Sequence, residues 1–333
     1  MRHIDVHTHL MPQCLWKTVD GGDDWYGMRL EAGDGLGFVA GNGKRIFINS
    51  PKLRFTPEER IVNMDEEGTD VQVVSIHTPL FPYHWEKGPA VQMSKDVNDE
   101  IAGMAKQHPG RFSGLATLPL QDVDASIEEL ERAVKVLGLK GAEFDMVVNG
   151  KTWDEPEFLP LFKAAESMGA LLFFHPQPQE NLVALERTRK YGLSNSIGVP
   201  LEDAILVATL IYGGILEKCP NLRVVVAHGG GPACFGMGRM DHGWKVRSEA
   251  RVNIPKPPSR YQSQLYYDFL TSSEASLRFL INSVGADHVV IGSDWPFVGW
   301  DPSPGGWLES LTSLSTEEKE KISFRNLEQM LGI

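Results

Sequence analysis

The chain is poor in cysteine: Cys14, Cys219 and Cys234 are the three in 333 residues, and none pairs with another as CxxC. That is too few and too scattered for a disulfide framework, so a small stapled secreted domain is excluded and a reducing cytoplasm is the expected compartment. No run of about 18 apolar residues occurs, so no membrane-spanning segment is expected. The opening MRHIDVHTHL has no apolar signal region. Positive charge is also scarce, with 32 Lys and Arg against 44 Asp and Glu and a net charge of −12. A nucleic acid or an anionic membrane is therefore not the expected partner, since phosphates are held by Lys and Arg. A glycine-rich GxGxxG turn is missing after the first candidate strand, which disfavours a dinucleotide-binding sheet. The GNGK of Gly41–Lys44 is not a phosphate loop: its upstream glycine is misplaced, and Arg45 stands where Ser or Thr would hold Mg²⁺. Repeats, low-complexity tracts and linkers are absent, so residues 1–333 read as one domain.

What is present is a long alternation. Short apolar, β-branched runs predict strands at Arg2–Val6, Val71–Ile76, Phe112–Thr117, Leu139–Phe144, Ala170–Phe174, Arg223–Ala227, Leu265–Leu270 and His288–Gly292. Most lack polar alternation, as strands buried on both faces do. Amphipathic helical segments lie between them. Thr56-Pro57-Glu58-Glu59 and Ser315-Thr316-Glu317-Glu318 each spell a capping box. Val123–Leu137 puts Ile127, Leu130, Val134 and Leu137 on one face. Eight strands, each followed by a helix, predict an α/β fold of the (β/α)8 TIM-barrel type. The stretch 11–53 is too long for an ordinary βα connection. With Phe38-Val39 and Ile46-Phe47-Ile48 as short β-like runs, it reads as a small β-hairpin insertion over the barrel mouth.

Chemistry collects at the strand ends: His7 and His9, His77, His175, His228, and Asp294. Barrel active sites are built at the C-terminal rim, where these residues would converge. In extended chain His7 and His9 are two apart and face the same side. Two such imidazoles, a third imidazole and a carboxylate form an N₃O donor set suited to Zn²⁺, with Mn²⁺ as the second choice. Lys140 falls at the start of the fourth strand, away from the mouth, where it could not bridge two cations; a single metal is expected. The loop Thr78–Trp85 is rich in aromatics, and with Trp295 and Phe297 it would wall a flat unsaturated substrate.

The set IDVHTH, FFHP, VAHGGG and IGSDWPF, in this order and spacing, resembles the amidohydrolase superfamily. Within it, the chain is most similar to the branch of 2-amino-3-carboxymuconate-6-semialdehyde decarboxylase and related nonoxidative decarboxylases. The resemblance runs over essentially the whole chain and includes RIVNMDEEGTDVQVV (Arg60–Val74), PLQD (Pro119–Asp122) and GRMDHGWKVR (Gly238–Arg247). It implies a mononuclear metal on His7, His9, His175 and Asp294, with Asp294 part of the catalytic centre and His228 a general acid/base rather than a permanent ligand. It also implies that Arg239 and Arg247 reach a neighbouring subunit's site to hold a substrate carboxylate, making a homodimer. One departure stands out. The family's decarboxylase has a further substrate-binding arginine in its insertion, and in GKRIFINSPKLR Ile48 stands in that place, with Arg45 and Arg54 as the candidates to replace it.

The implied reaction is metal-dependent nonoxidative decarboxylation of a small unsaturated or aromatic carboxylic acid, a carbon–carbon lyase of aromatic-compound catabolism. A hydrolase or hydratase using the same centre on a lactone, amide or enol acid is the alternative. A noncatalytic barrel with a closed structural metal site is the third reading, and an unligated His228 beside a glycine run speaks against it.

Overall fold

Why eight short runs close into one ring is visible in the computed structural model, which describes residues 1–177, 183 and 185–333. In chain order the strands are β1 (Ile4–Leu10), β2 (Met28–Glu31), β3 (Phe38–Gly41), β4 (Lys44–Phe47), β5 (Val71–Ile76), β6 (Phe112–Gly114), β7 (Gly141–Phe144), β8 (Leu171–Phe174), β9 (Arg223–Val226), β10 (Leu265–Asp268) and β11 (Val289–Val290). β1, β5 and β6 pair in parallel, as do β7 to β11 in sequence. Two single bridges join these arcs, Ala116 to Ala142 on one side and Thr8 to Trp295 on the other, so the eight parallel strands close on themselves.

The β1–β11 seam carries no regular ladder. It is held by Val6 N to Ile291 O (3.0 Å), His9 N to Trp295 O (2.8 Å) and Trp295 N to His7 O (3.3 Å). All eight predicted strands occur, several shorter than expected. The first is different: it runs on to Leu10, so His7 and His9 lie inside the strand rather than after it.

Ile4, Val6, Val71, Val73, Leu115, Phe173 and Val225 fill the barrel interior, and Leu327, Met330 and Leu331 of the last helix plug its floor. A second, larger core packs the strands' outer faces against the helices. Both expected capping boxes are formed, at Thr56/Glu59 and at Ser315/Glu318. The helical stretch 194–212 is long and apolar enough to cross a membrane by composition alone. Its positions Leu206, Val207, Leu210 and Ile211 are instead buried against the rest of the barrel.

The insertion is more than a hairpin. β2, β3 and β4 form a three-stranded antiparallel sheet, preceded by the helix Gln13–Asp20. GNGK is its β3–β4 turn: Gly41 pairs with Lys44 across Asn42 and Gly43, whose φ values are +50° and +77°. Two consecutive positive φ angles are what a two-residue type I′ hairpin turn requires, which explains Asn-Gly here without a phosphate.

Candidate metal centre

β1 pairs with β5 in a register that slips between Asp5 and Thr8, one extra residue on β1. The bulge resets the alternation of the strand. Below it Ile4 and Val6 face the barrel axis with the apolar plug; above it His7 and His9 do. His175 follows β8 directly and Asp294 lies beyond β11, so four ligand atoms from three strand ends come within 4.8 Å of one another. His9 Nε2 is 3.0 Å and His7 Nε2 3.5 Å from Asp294 Oδ1. All four residues are buried.

The donor set fits a divalent cation. His7 Nε2 and both nitrogens of His175 are buried without a hydrogen-bond partner, a costly state that a metal ion would relieve. Burial, followed by the neighbouring His7, His9 and His228, holds His175 well below the usual imidazole range, so it presents a neutral ring. Burial likewise lowers His9. For Asp294 burial opposes ionisation, yet electrostatic attraction from His7 and the hydrogen bond with His9 prevail and bring its carboxyl down to about 2. The site is thus three imidazoles and one carboxylate, the set expected for Zn²⁺ and accessible to Mn²⁺. It is the single such group among the described residues. Lys140 precedes β7, at the barrel end opposite the ligands.

Three buried aspartates, none anticipated from the sequence, orient these groups. Asp268 Oδ2 lies 2.8 Å from His7 Nδ1, which turns His7 Nε2 toward the centre. Its other oxygen accepts the amides of Gly229 (3.0 Å) and Leu270 (3.1 Å). Asp203, on the helix Val199–Tyr212, lies with Oδ2 3.0 Å from His228 Nδ1. Asp5 accepts the amides of His7 (3.1 Å) and Ser293 (3.0 Å).

His228 stands beside the ligand group with its ring 4.9 Å from that of His175 and 5.3 Å from that of His7. Burial alone would depress it, but the Asp203 carboxylate outweighs burial and carries it to about 9. His228 and Asp294 both hold left-handed backbone, at φ +52° and +59°. Non-glycine residues seldom do so, and such strain gathers at functional sites.

A cavity of about 180 Å³ opens over the centre, lined by His9, His77, His175, His228 and Asp294 at its floor. Ile46, Phe47 and Asn49 of the insertion, Thr78 and Pro79 after β5, Asn195, Val199 and Phe297 complete it. Phe297 tilts over His9 and His77, at 5.4 and 5.0 Å between rings.

Other expected substrate contacts fall elsewhere. Trp295 does not line the cavity: its Nε1 donates to Asn63 Oδ1 (2.8 Å), and the Arg60 guanidinium stacks 4.0 Å from its ring, so it is fixed in the wall behind. The aromatics of the Thr78–Trp85 loop also pack inward, Phe81 stacking on Tyr83 at 5.0 Å. Arg239 and Arg247 are exposed and border a separate open cavity of about 880 Å³ with Tyr212 and His242. Within one chain they do not reach the metal centre's cavity.

The family model described as amidohydrolase matches residues 4–333. A 2-amino-3-carboxymuconate-6-semialdehyde decarboxylase of Dictyostelium discoideum is 33% identical over 99% of this chain and 91% of its own length. A gamma-resorcylate decarboxylase of Polaromonas is 27% identical over 83% of this chain and 87% of its own. Among solved structures, a dihydroxybenzoic acid decarboxylase of Polaromonas with bound manganese and 2-nitroresorcinol superposes with a TM-score of 0.81 at 21% identity, covering 99% of this chain and 97% of that one.

Proposed function

The chain belongs to the amidohydrolase family, and from that premise we propose that its centre decarboxylates a small aromatic or unsaturated acid, with His228 as the proton donor. The enzyme is a metal-dependent nonoxidative carboxy-lyase. The observation that carries the assignment of roles is His228: it is charged through Asp203, adjoins the ligand group, and lines the cavity.

His7, His9, His175 and Asp294 would hold a divalent cation, which would supply Lewis-acid charge for the substrate carboxylate when bound. Zn²⁺ is our assignment, supported by the N₃O donor set, with Mn²⁺ second, supported by the manganese in the Polaromonas structure. The chain's residues supply the rest. His7 is held by Asp268 and keeps one tautomer. Phe297, Ile46 and Phe47 exclude water from the ring, with the insertion acting as part of the lid. As the carbon–carboxylate bond breaks, its electron pair remains on carbon and CO₂ leaves. His228, whose Nδ1 is engaged by Asp203, donates the Nε2 proton to that carbon and recovers one from solvent.

We further propose a homodimer in which Arg239 and Arg247 of one copy close on the substrate carboxylate in the other. Supporting it, the helix Ala233–Val246 exposes Phe235 (82%) and Val246 (59%) alongside Arg239, with Arg247 directly after it. Guanidinium groups suit bidentate recognition of a carboxylate.

The test is a screen of metal-loaded protein for CO₂ release from hydroxybenzoates and carboxymuconate semialdehydes. CO₂ release without net consumption of water is expected, lost on chelation and in His228→Ala. Full activity in that variant would refute the proton role, and activity unchanged by chelation would refute the metal.

A further inference from the structure

Resting on the decarboxylase reading of the site, we propose that His77 is a substrate-binding residue. Its imidazole hydrogen-bonds a polar group that the acid carries apart from the reacting carboxylate, and so fixes how the substrate lies over the metal centre.

Position comes first. His77 directly follows β5, on the same rim as the candidate ligands. Its amide donates to Leu10 O at 2.8 Å, and its own carbonyl accepts from Leu80 N at 2.8 Å. The backbone is thus pinned on both sides. The ring packs against Phe297 at 5.0 Å and His9 at 5.7 Å, and it lines the cavity over the centre. A second cavity of about 460 Å³ shares Asn195, Val199, His228 and Asp294 with this one. His77 and the insertion residues Ile46, Phe47 and Asn49 border the first cavity alone. A ligand that reaches from His228 toward the insertion therefore comes to His77.

The ring is also an unsatisfied group. Nδ1 is buried, and neither ring nitrogen is hydrogen-bonded among the described residues. His77 is not one of the four residues whose donor atoms converge, so a cation there would leave it without a partner. A buried polar atom without a partner is costly, and for packing alone a phenylalanine or leucine would serve without that cost. Burial holds the ring below the usual imidazole range, so it is neutral. A neutral imidazole has one donor and one acceptor, and turning about its last torsion brings either edge to a ligand. Arg45 and Arg54, the candidates for the absent insertion arginine, turn instead to Glu31 and Asp20 and do not line the cavity. Toward the insertion this chain therefore reads a ligand through neutral groups.

Hydroxyl isomers isolate the bond. Metal-loaded wild type is titrated calorimetrically with benzoate and with 3- and 4-hydroxybenzoate, whose hydroxyls are too far from the carboxylate to chelate with it. One isomer is expected to bind about fivefold tighter than benzoate or better, the worth of one ordinary hydrogen bond. In His77→Phe that advantage should fall below about twofold while benzoate affinity is unchanged. His77→Gln, whose amide donates and accepts, should restore part of it; His77→Leu serves if the phenylalanine variant fails to fold. The absence of a hydroxyl advantage in wild type overturns the proposal, as does an advantage that survives in the apolar variants. Equal weakening of benzoate overturns it too, since the ring would then only shape the wall. CO₂ release is read separately on the same proteins. A hydroxyl advantage that depends on His77, with no CO₂ from any acid, would overturn the decarboxylase reading and leave His77 as a binding residue. CO₂ release with an advantage indifferent to His77 would overturn the assignment of His77 alone.

Discussion

Asp5 Oδ2 lies 2.5 Å from Ser293 Oγ, while its Oδ1 accepts the backbone amides of Ser293 and His7. One buried carboxylate thus spans the seam where the barrel closes with a two-residue strand and no ladder. It touches the amide of one candidate metal ligand, His7, and the residue before another, Asp294. Ser293 Oγ in turn accepts Trp295 N at 3.2 Å, so both neighbours of the left-handed Asp294 are pinned.

Asp5→Ala is accordingly expected to act on metal retention as well as on folding. It leaves three buried donors without acceptors, each costing about 1–3 kcal/mol. Loss of groups that orient ligands lowers metal affinity by about 10–100-fold. Denaturant unfolding and competition against a chelator measure the two effects. Unchanged metal affinity in a folded variant would limit Asp5 to the seam.

His228 and Asp203 make a second pair with a separable signature. His228→Ala is expected to lower kcat by about 10²–10⁴ with KM little changed, since the proton is needed in the transition state and not for binding. Asp203→Asn should fall between that variant and wild type, because the imidazole remains while its charge support is removed. Steady-state kinetics over a range of pH tests this. An effect confined to KM would contradict the assignment.

Glu143 offers a prediction of pH dependence. It lies opposite Phe173 in the β7–β8 register, is buried, and neither carboxyl oxygen has a hydrogen-bond partner among the described residues. Burial, which outweighs the nearby Ser75 hydroxyl and is reinforced by the charges of Asp145 and Asp294, raises it well above the usual carboxyl range. The folded state therefore keeps a proton that the unfolded chain releases above about 4.5. Stability from this group is complete below that value and declines as pH rises toward the folded one. Glu143→Gln should flatten the fall in unfolding free energy between pH 5 and 8. An unaltered pH profile would rule out Glu143 as its source.

Gly292 separates His7 from Asp268. A Cβ there would lie 2.6 Å from the Asp268 Cβ and 2.8 Å from the His7 Cβ, and neither atom is the free end of a flexible chain. Gly292→Ala is expected to cost about 1–3 kcal/mol by overpacking and to weaken metal binding by displacing His7. Thermal melts with and without added Zn²⁺ report both; a metal-dependent rise in Tm equal to that of wild type would show that His7 is not displaced.

The eight strands were legible because strands buried on both faces must be apolar throughout, and the histidines because they stand at the ends of such runs. The ligand candidates therefore followed from local pattern, the family resemblance sorting His228 from His175. What local pattern could not supply was long-range. Simple alternation assigns His7 and His9 to one face but puts Ile4 and Val6 on the other; only the bulge against β5 lets all four face the axis. Trp295 reads as a pocket aromatic beside Asp294, yet Arg60 and Asn63, more than 230 positions away, hold it in the wall. The charge of His228 depends on Asp203, whose one trace in the sequence is the acidic pair Glu202-Asp203 inside a mostly apolar helix. Composition and periodicity report what a segment buries, and they were enough for the barrel and for the strand-end residues among which the ligand candidates stand. Which nitrogen is oriented, and which aromatic is held back from the cavity, depend on partners that meet only when the ring closes.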